Sequence, residues 1–552
     1  MSSSTTFIAA HNPEKGGGYP GFNPRTVTDD KLNITIQCDE TIVLRDGVKI
    51  YADVYRPNDG SKCPVLLAWT PYGKHVNPWL KWNNMKGSGV PTSVVSDYVG
   101  FETPDPAFWC KEGYAVVVVD ARGLWNSEGD ATYMTDQEAR DCYDAIEWAG
   151  TQEWCQGNVG MSGVSYLAWS QWRVASLNPP HLKAINPNEG VTDFFREIAT
   201  HGGIKCHFLG WILEHLWSYG RNSAEDIGTM VDQHALFDDY WKSKNPDLSK
   251  ITVPAYVVAN WADHGLHLRG TLEGFKKIRS THKWLRVHGR RKFQSYYEDQ
   301  ERQRQFFDKF LKGIKSEAEY WPKVNLEIRE RYYVGNYRAE NEWPLARTQY
   351  TKLHLDARGH SMALQPISKV HQAQYNVDNA PDLTDNVQFQ YTFPEDTELT
   401  GYSKLRLWVE ARGHDDMDLF ATVDKIDRTG DKVLMPWRSL RADGPFAAGW
   451  LRASHRELDE DLSTPYQSVL KHTRQLKLKS NEVVPVDIEI LATSILFRRG
   501  EKLLLTVSGS DPMVVEDAAS NNHEALNKGT HVIYTGGSYD SHLLVPVIPR
   551  AE

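Results

Sequence analysis

An apolar strand pattern ends in the turn Gly160-Met-Ser-Gly-Val-Ser-Tyr-Leu-Ala168, which contains two serines, and an amphipathic helical run follows it to Ser176. A strand-turn-helix of this kind is typical of a nucleophile elbow, in which a strained serine exposes its hydroxyl beside a free backbone N–H. Neither Ser162 nor Ser165 is followed two residues later by a glycine. We favour Ser165 because Gly163 stands two residues before it and the helical run begins directly after it. A serine in such a turn can equally be only a turn former.

Composition and charge exclude several classes of protein. The chain has 552 residues and a formal net charge of -10, with acidic and basic residues interspersed, so we expect two or three cores and no nucleic-acid partner. No apolar run approaches the ~20 residues of a membrane span, and the first residues lack a signal-peptide pattern. The six cysteines form no C-x-x-C pair and indicate reduced thiols. These features predict a cytoplasmic protein without membrane association.

Working outward from the turn, strands and helices alternate over the first 320 residues. After a polar lead (1–36), the stretch 40–56 predicts a hairpin around Asp46-Gly47. Apolar strands then alternate with helical runs, such as 137–150 and 266–278. An antiparallel start followed by this alternation favours a mostly parallel sheet, with ligands at its carboxyl edge. The pattern is that of an α/β-hydrolase domain, assigned to 37–189 and 251–320.

Two further regions differ from this alternation of strands and helices. An aromatic helical insert at 190–250 contains Phe208-Leu-Gly-Trp-Ile-Leu-Glu-His-Leu-Trp217. In this architecture such an insert forms a helical cap over the active site, although it could also be a structural subdomain. From 321 to 552 short β-type runs follow one another without long helices, which predicts an all-β jelly-roll sandwich.

A serine nucleophile needs a base, and the base needs an acid that orients it. In this fold the chain order is serine, acid, histidine. The acid is therefore expected after the seventh strand, where Asp263 follows the run 255–260, although Asp263 could instead cap the next helix. The base is expected after the eighth strand, which ends on His288.

Three other histidines compete with His288 for the role of base. His282 precedes the eighth strand, at the wrong end of the sheet, and His264 and His267 stand beside the acid. The spacing His264-x-x-His267 could also suggest metal ligation, but no third ligand cluster accompanies it, so we predict no metal and no cofactor. The oxyanion donors are predicted to be Tyr72, in the turn after the third strand, and the N–H of Tyr166.

Several of these segments together resemble the CocE/NonD hydrolases, which include cocaine esterase, α-amino acid ester hydrolases and X-Pro dipeptidyl-peptidases. The resemblance rests on Gly163-Val-Ser-Tyr166, Thr70-Pro-Tyr72, Asp120-Ala-Arg-Gly-Leu-Trp-Asn-Ser-Glu-Gly129, Gly449-Trp-Leu-Arg-Ala-Ser-His-Arg-Glu-Leu458 and Pro485-Val-Asp-Ile-Glu-Ile490. It spans nearly the whole chain. It implies a hydrolase domain, a helical cap and a jelly roll, and it selects Ser165 as nucleophile, with Tyr72 and the Tyr166 N–H as oxyanion hole.

Two positions depart from the family pattern. Ala168 replaces the usual glycine, a small exchange. The family often carries its histidine in a G-P-W-x-H turn, and Phe293 stands at that place here, so that His288 has to act from one turn earlier.

The combined expectation is a serine carboxylic-ester hydrolase working through an acyl-enzyme. The tryptophan-rich insert favours bulky or aromatic small-molecule substrates. Two alternatives stay open: an X-Pro dipeptidyl-peptidase, α-amino acid ester hydrolase or amidase of the same group, and a non-catalytic protein that binds through its jelly roll. Homo-oligomerisation also stays open.

Overall fold

The computed structural model describes residues 5–15, 19–75, 87–378, 386–437, 441–511 and 523–550. Parts of the predicted lead, residues 1–4 and 16–18, lie outside these ranges. None of the six cysteines, all of which are described, forms a disulfide. Among the described helices, none is both long enough and apolar enough to cross a bilayer.

The first part of the chain forms a large sheet flanked by helices. Its strands and those of the insert are β1 (Phe7–Ala9), β2 (Arg25–Asp29), β3 (Ile34–Val43), β4 (Lys49–Pro57), β5 (Cys63–Thr70), β6 (Ala115–Asp120), β7 (Cys155–Val164), β8 (Leu182–Asn188), β9 (Thr200–His201), β10 (Ile204–Lys205), β11 (Ser223–Glu225), β12 (Ala255–Asn260), β13 (Lys283–His288), β14 (Val324–Arg331) and β15 (Val334–Glu340). The helices are α1 (Pro106–Lys111), α2 (Asp136–Gly150), α3 (Tyr166–Ala175), α4 (Phe208–Ile212), α5 (Ile227–Gln233), α6 (Asp239–Lys244), α7 (Leu268–Lys277), α8 (Lys292–Glu298) and α9 (Gln300–Phe307). Short π-helical turns cover Phe195–Ala199, Leu213–Trp217 and Asp308–Lys312.

The strand order of this sheet confirms the α/β-hydrolase prediction. Strands β2, β3 and β4 pair antiparallel, and β4 also pairs antiparallel with β6. From β6 the sheet continues through β5, β7, β8, β12 and β13 to β14, and these neighbours are parallel. Apolar residues such as the fully buried run of β6 make these strands suitable for a sheet covered on both faces. The carboxyl ends of β5, β7, β12 and β13 consequently meet at one edge, where the predicted site residues are located.

The insert between β8 and β12 contains α4, α5 and α6 and the hairpin of β9 and β10. Its aromatic residues are mostly buried; Trp217 and Trp241 are fully enclosed in the same core as the sheet. These side chains pack against the elements that follow β7, so the insert covers the carboxyl edge of the sheet.

The C-terminal part is almost entirely β-structure. Its strands are β16 (Gln349–Asp356), β17 (Ser361–Ala363), β18 (His371–Asn376), β19 (Asn386–Thr392), β20 (Thr397–Arg412), β21 (Asp418–Ile426), β22 (Lys432–Val433), β23 (Met435–Trp437), β24 (Arg441–Gly444), β25 (Ala447–Arg452), β26 (Val484–Phe497), β27 (Lys502–Ser508), β28 (Thr530–Thr535) and β29 (His542–Ile548). One set pairs in the order β18, β28, β20, β26 and another in the order β25, β21, β27, β19. Side chains from both sets form one apolar core, as expected for a β-sandwich.

Candidate active site

Ser165 occupies a strained corner between β7 and α3. Its backbone has φ 57° and ψ -117°, a combination that few non-glycine residues adopt, and its N–H donates to the carbonyl of Asn188 (3.1 Å). Gly163 makes the turn possible, because a Cβ there would lie 2.5 Å from the Cβ of Leu167. The competing Ser162 instead bonds Asn186 (3.1 Å) and the hydroxyl of Tyr296 (3.0 Å). The structure therefore directs the hydroxyl of Ser165, and not that of Ser162, towards the other predicted site residues at the sheet edge.

The histidine beside Ser165 is His267. Its Nε2 lies 2.9 Å from the Ser165 Oγ, and its Nδ1 forms a short hydrogen bond with Asp263 Oδ2. Because Asp263 holds the N–H of Nδ1, the Nε2 is left as an acceptor for the serine proton. Asp263 and His267 are four residues apart in the turn that leads into α7, so that both side chains reach the same face.

The prediction that His288 is the base is contradicted by its position. His288 is the last residue of β13, as expected, but its Nε2 faces Glu189 Oε1 at 3.5 Å and its Nδ1 accepts from the Arg290 N–H (3.2 Å). Burial, followed by Arg286 and Arg290, lowers the pKa of His288 to about 3. The ring nitrogens of His288 thus face Glu189 and Arg290, and the histidine that contacts Ser165 is His267.

The sequence contained a signal for His267, namely its i, i+4 spacing from Asp263. The rule that the base follows the eighth strand favours His288 instead. Phe293, at the place of the family's usual histidine, is buried in a small apolar cluster. The residue before it, Lys292, was not singled out in the sequence, and it belongs to the site.

Lys292 adds a positive charge next to the acid and the base. Its Nζ lies 3.1 Å from His267 Nδ1 and 3.6 Å from Asp263 Oδ2, and the side chain is buried. Burial raises the pKa of Asp263, but His267 and Lys292 outweigh it and hold that pKa well below its usual range. Burial and Lys292 together lower the pKa of His267 to about 4, against the opposing effect of Asp263. At neutral pH the pair is therefore a carboxylate and a neutral imidazole.

Tyr72 and Tyr166 stand on the other side of Ser165. The buried Tyr72 hydroxyl interacts with Ser165 and Glu102, and burial, together with the Glu102 carboxyl, raises its pKa well above the usual range. A protonated phenol is a hydrogen-bond donor. Tyr166 is the first residue of α3, so its N–H is not used by the helix, while its hydroxyl donates to Glu138 (2.7 Å).

Two further carboxyls, Glu102 and Glu189, have left-handed backbones (φ 64° and 53°) and are buried around this cluster. Burial is the main cause that raises the pKa of Glu102 to about 8, and Lys292 opposes it. Burial, then the charge of Asp263, raises the pKa of Glu189 well above its usual range. Both groups are therefore protonated at neutral pH, and Asp263 is the ionised carboxylate of the three.

Glu189, Asp263 and His267 each offer one ligand atom within 4.8 Å of the others, a separation that could also hold a metal ion. The contacts of His267 with Ser165 and Asp263 use both of its ring nitrogens. This arrangement fits nucleophile activation and leaves no ring nitrogen for a cation.

Two family models cover most of the chain. An X-Pro dipeptidyl-peptidase (S15 family) model matches residues 46–227, and an X-Pro dipeptidyl-peptidase C-terminal non-catalytic domain model matches residues 316–544. The crystal structure of a CocE/NonD family hydrolase from Staphylococcus aureus is 40% identical, has a TM-score of 0.89, and aligns over 98% of this chain and 99% of that one. The chain belongs to the CocE/NonD hydrolase family. The resemblance noted in the sequence is thereby confirmed.

Two further proteins are similar to the chain over most of its length. Cocaine esterase of Rhodococcus sp. (strain MB1 Bresler) is 25% identical over 94% of this chain and 99% of its own length. An α-amino acid ester hydrolase has a TM-score of 0.71 at 17% identity, which shows a common fold. The predicted fold class, a hydrolase domain followed by a β-rich domain, is confirmed by these comparisons.

Proposed function

We propose that this CocE/NonD hydrolase cleaves carboxylic esters through an acyl-enzyme on Ser165, with His267 as base and Asp263 as the acid that orients it. The observation that carries the proposal is the 2.9 Å contact between Ser165 Oγ and His267 Nε2, with Asp263 bonded to the opposite ring nitrogen. This is the geometry that serine hydrolases require, whatever the position of the residues in the chain.

In the proposed reaction His267 Nε2 takes the proton of Ser165 as the Oγ attacks the ester carbonyl carbon. The oxyanion that forms accepts hydrogen bonds from the Tyr72 hydroxyl and the Tyr166 N–H, and each such donor is worth roughly 3 kcal/mol in the transition state. His267 then gives its proton to the departing alkoxide, which leaves as an alcohol. Water repeats the sequence on the acyl-serine and releases the carboxylic acid.

The surroundings of Ser165 support bulky or aromatic substrates. The indole of Trp169 lies 5.8 Å from the His267 ring, and that of Trp217 lies 4.9 Å from the Tyr166 ring. Within the described residues, the buried N–H of the Trp169 indole has no acceptor. A substrate with an aromatic face and a polar oxygen would use both properties of these side chains.

Peptidase activity is the second candidate, because both matching family models are named for X-Pro dipeptidyl-peptidases. Such an enzyme has to hold the ammonium of its substrate with ionised carboxylates. The raised pKa values of Glu102 and Glu189 make these neighbours of Asp263 neutral at pH 7, which favours the uncharged ester. An assay with phenyl esters, anilides and X-Pro anilides separates the two: faster cleavage of the X-Pro anilide would reject the ester proposal.

The nucleophile is tested by labelling with a fluorophosphonate. We expect the label on the wild type and none on Ser165→Ala, with Ser162→Ala as the matched control that stays labelled. Ester turnover by Ser165→Ala should fall by at least about 10³-fold. Undiminished labelling or turnover of Ser165→Ala contradicts the proposal.

The base is tested by comparing two histidine variants. His267→Ala should lose at least about 10³-fold in kcat/KM, because the Ser165 proton has no acceptor. His288→Ala should stay within about tenfold of the wild type, since its ring faces Glu189 and not Ser165. If His288→Ala is the inactive variant, the assignment of His267 is wrong.

A further inference from the structure

Away from Ser165, His201, Cys206 and His523 form a second cluster. One ligand atom of each lies within 4.8 Å of the other two, and His201 Nδ1 faces His523 Nε2 at 2.7 Å. His201 and Cys206 are buried, and the side chain of His523 is fully enclosed. A thiol and two imidazoles in a buried pocket are a donor set with metal-ligating chemistry.

The three residues come from two parts of the chain and are held in place by backbone contacts. His201 ends β9 and Cys206 follows β10, so that the two flank the hairpin turn of the insert. His523 belongs to the C-terminal part, and its backbone forms an antiparallel bridge with Cys206. The next residue, Glu524, donates its N–H to the carbonyl of Lys205 (2.9 Å). The backbone therefore positions the donor set before any ligand binds.

Each imidazole is oriented by a partner on its far nitrogen. His523 Nδ1 lies 2.7 Å from Asp511 Oδ2, and His201 Nε2 lies 3.1 Å from the carbonyl oxygen of Glu197. Both partners are acceptors, so each holds an N–H and leaves the lone pair of the other nitrogen directed at the opposite ring. Metal-binding histidines are typically held by a carboxylate or a carbonyl in this way. Two lone pairs at 2.7 Å repel each other unless a cation or a proton lies between them.

We propose that His201, Cys206 and His523 bind a zinc ion that links the insert to the C-terminal β-structure. Zinc accepts thiolate and imidazole donors together, and three protein ligands leave one place for a fourth donor such as water. In a tetrahedral zinc site neighbouring nitrogens are about 3.3 Å apart. The two imidazoles therefore have to open by about 0.6 Å from their 2.7 Å separation, and the thiol has to approach them.

The position of the cluster gives the ion a structural role. A Cβ added at Gly265 would lie 3.6 Å from His201 Nε2, and Gly265 stands midway between Asp263 and His267. The ring of Trp450, from β25, packs on both imidazoles at 5.0 Å and 5.8 Å. Bound zinc would thus join the β9–β10 hairpin of the insert to the segment of His523, next to the loop that carries the acid and the base. Because it binds the folded chain, it raises the folding stability by mass action.

The experiment uses the full-length chain, first stripped with a chelator and then given zinc ions. We expect one zinc per chain by elemental analysis of the wild type after gel filtration, and a higher Tm than for the stripped protein. Cys206→Ser and His523→Ala should bind zinc at least tenfold more weakly and lose the Tm increase. Cobalt(II) provides a direct probe, since only a thiolate ligand gives a sulfur-to-cobalt charge-transfer band, and Cys206→Ser should lose it.

Two controls keep the outcome independent of folding and of activity. Cys142→Ser removes a buried thiol in the hydrolase core and should bind zinc like the wild type. Asp511→Asn keeps all three ligands and should weaken binding about 10-fold to 100-fold. If the wild type retains no stoichiometric zinc, or if the cobalt band persists in Cys206→Ser, the proposal is wrong and a proton shared by the imidazoles accounts for their contact. None of these readouts depends on ester cleavage.

Discussion

Burial changes the charge of Glu102, a residue beside the candidate nucleophile. It is almost fully buried beside Tyr72 and Ser165, and burial raises its pKa to about 8. A neutral carboxyl near a developing oxyanion costs nothing electrostatically, whereas a carboxylate opposes the negative charge. The protonation state of Glu102 is therefore expected to affect the rate of ester cleavage.

This gives a prediction for the pH dependence of kcat/KM. Because the pKa of Glu102 is raised, the group is protonated below about pH 8 and becomes a carboxylate above it. We expect activity to decline above that pH in the wild type. Glu102→Gln, which stays neutral, should retain activity at pH 7 within a few-fold and remove the decline. A decline that is the same in both proteins would show that another group is responsible.

At the same scale, the sequence predicts some site residues better than others. Ser165 and Asp263 were predictable because Ser165 directly follows β7 and Asp263 lies three residues after β12, which is a local pattern. His267 was harder to predict, because its contact with Ser165 depends on how the turn into α7 is placed relative to the end of β7. The cluster of His201, Cys206 and His523 could not be predicted from the sequence, because the two regions that form it are more than 300 residues apart in the chain.

At the scale of the element, the turn from β7 into α3 depends on Gly163. Its φ is 152°, and an added Cβ would approach the Leu167 Cβ to 2.5 Å and the Glu102 carbonyl to 3.1 Å. Gly163→Ala should therefore shift the first turn of α3 and destabilise the protein by about 1–3 kcal/mol, measured by urea unfolding. Labelling of Ser165 should fall with it.

A matched control lies in α4. Gly210 is helical, and an added Cβ would have no neighbour within 4 Å. Gly210→Ala should leave stability unchanged or raise it by up to about 1 kcal/mol, because alanine favours a helix. If Gly163→Ala is as stable as Gly210→Ala, the close approach to Leu167 does not limit the turn.

Helices and strands were predictable from the sequence where apolar residues recur at a regular spacing. The hairpin of β3 and β4 and the helices α2 and α7 lie close to their predicted bounds. The insert was predicted as helical, and its helices are short and interrupted by π-helical turns such as Leu213–Trp217. Its aromatic residues face several neighbouring segments at once, so their spacing follows tertiary packing and not one helical period.

At the scale of the whole molecule, Arg269 connects the three parts of the chain. It lies on α7, two residues after His267, and donates to Glu197 of the insert and to Glu489 of β26, each at 3.1 Å. Gln467 also donates to Glu489 (3.0 Å). The β-rich part therefore contacts the helix that begins at the candidate active site, and its packing supports the orientation of that helix.

Removing the positive charge of Arg269 should lower the free energy of unfolding. Arg269→Met leaves two acidic groups without their shared partner, and breaking a buried ion pair from one side destabilises by about 3–5 kcal/mol. The exposed pair of Arg45 and Asp144 is the matched control, and Arg45→Met should change stability by less than about 1 kcal/mol. Both are measured by urea unfolding at pH 7. Adding Glu489→Gln to Arg269→Met should recover part of the loss, because it removes the carboxylate that Arg269 pairs with on β26. If Arg269→Met behaves like Arg45→Met, the contact between α7 and β26 contributes little, and the position of His267 depends on the hydrolase sheet alone.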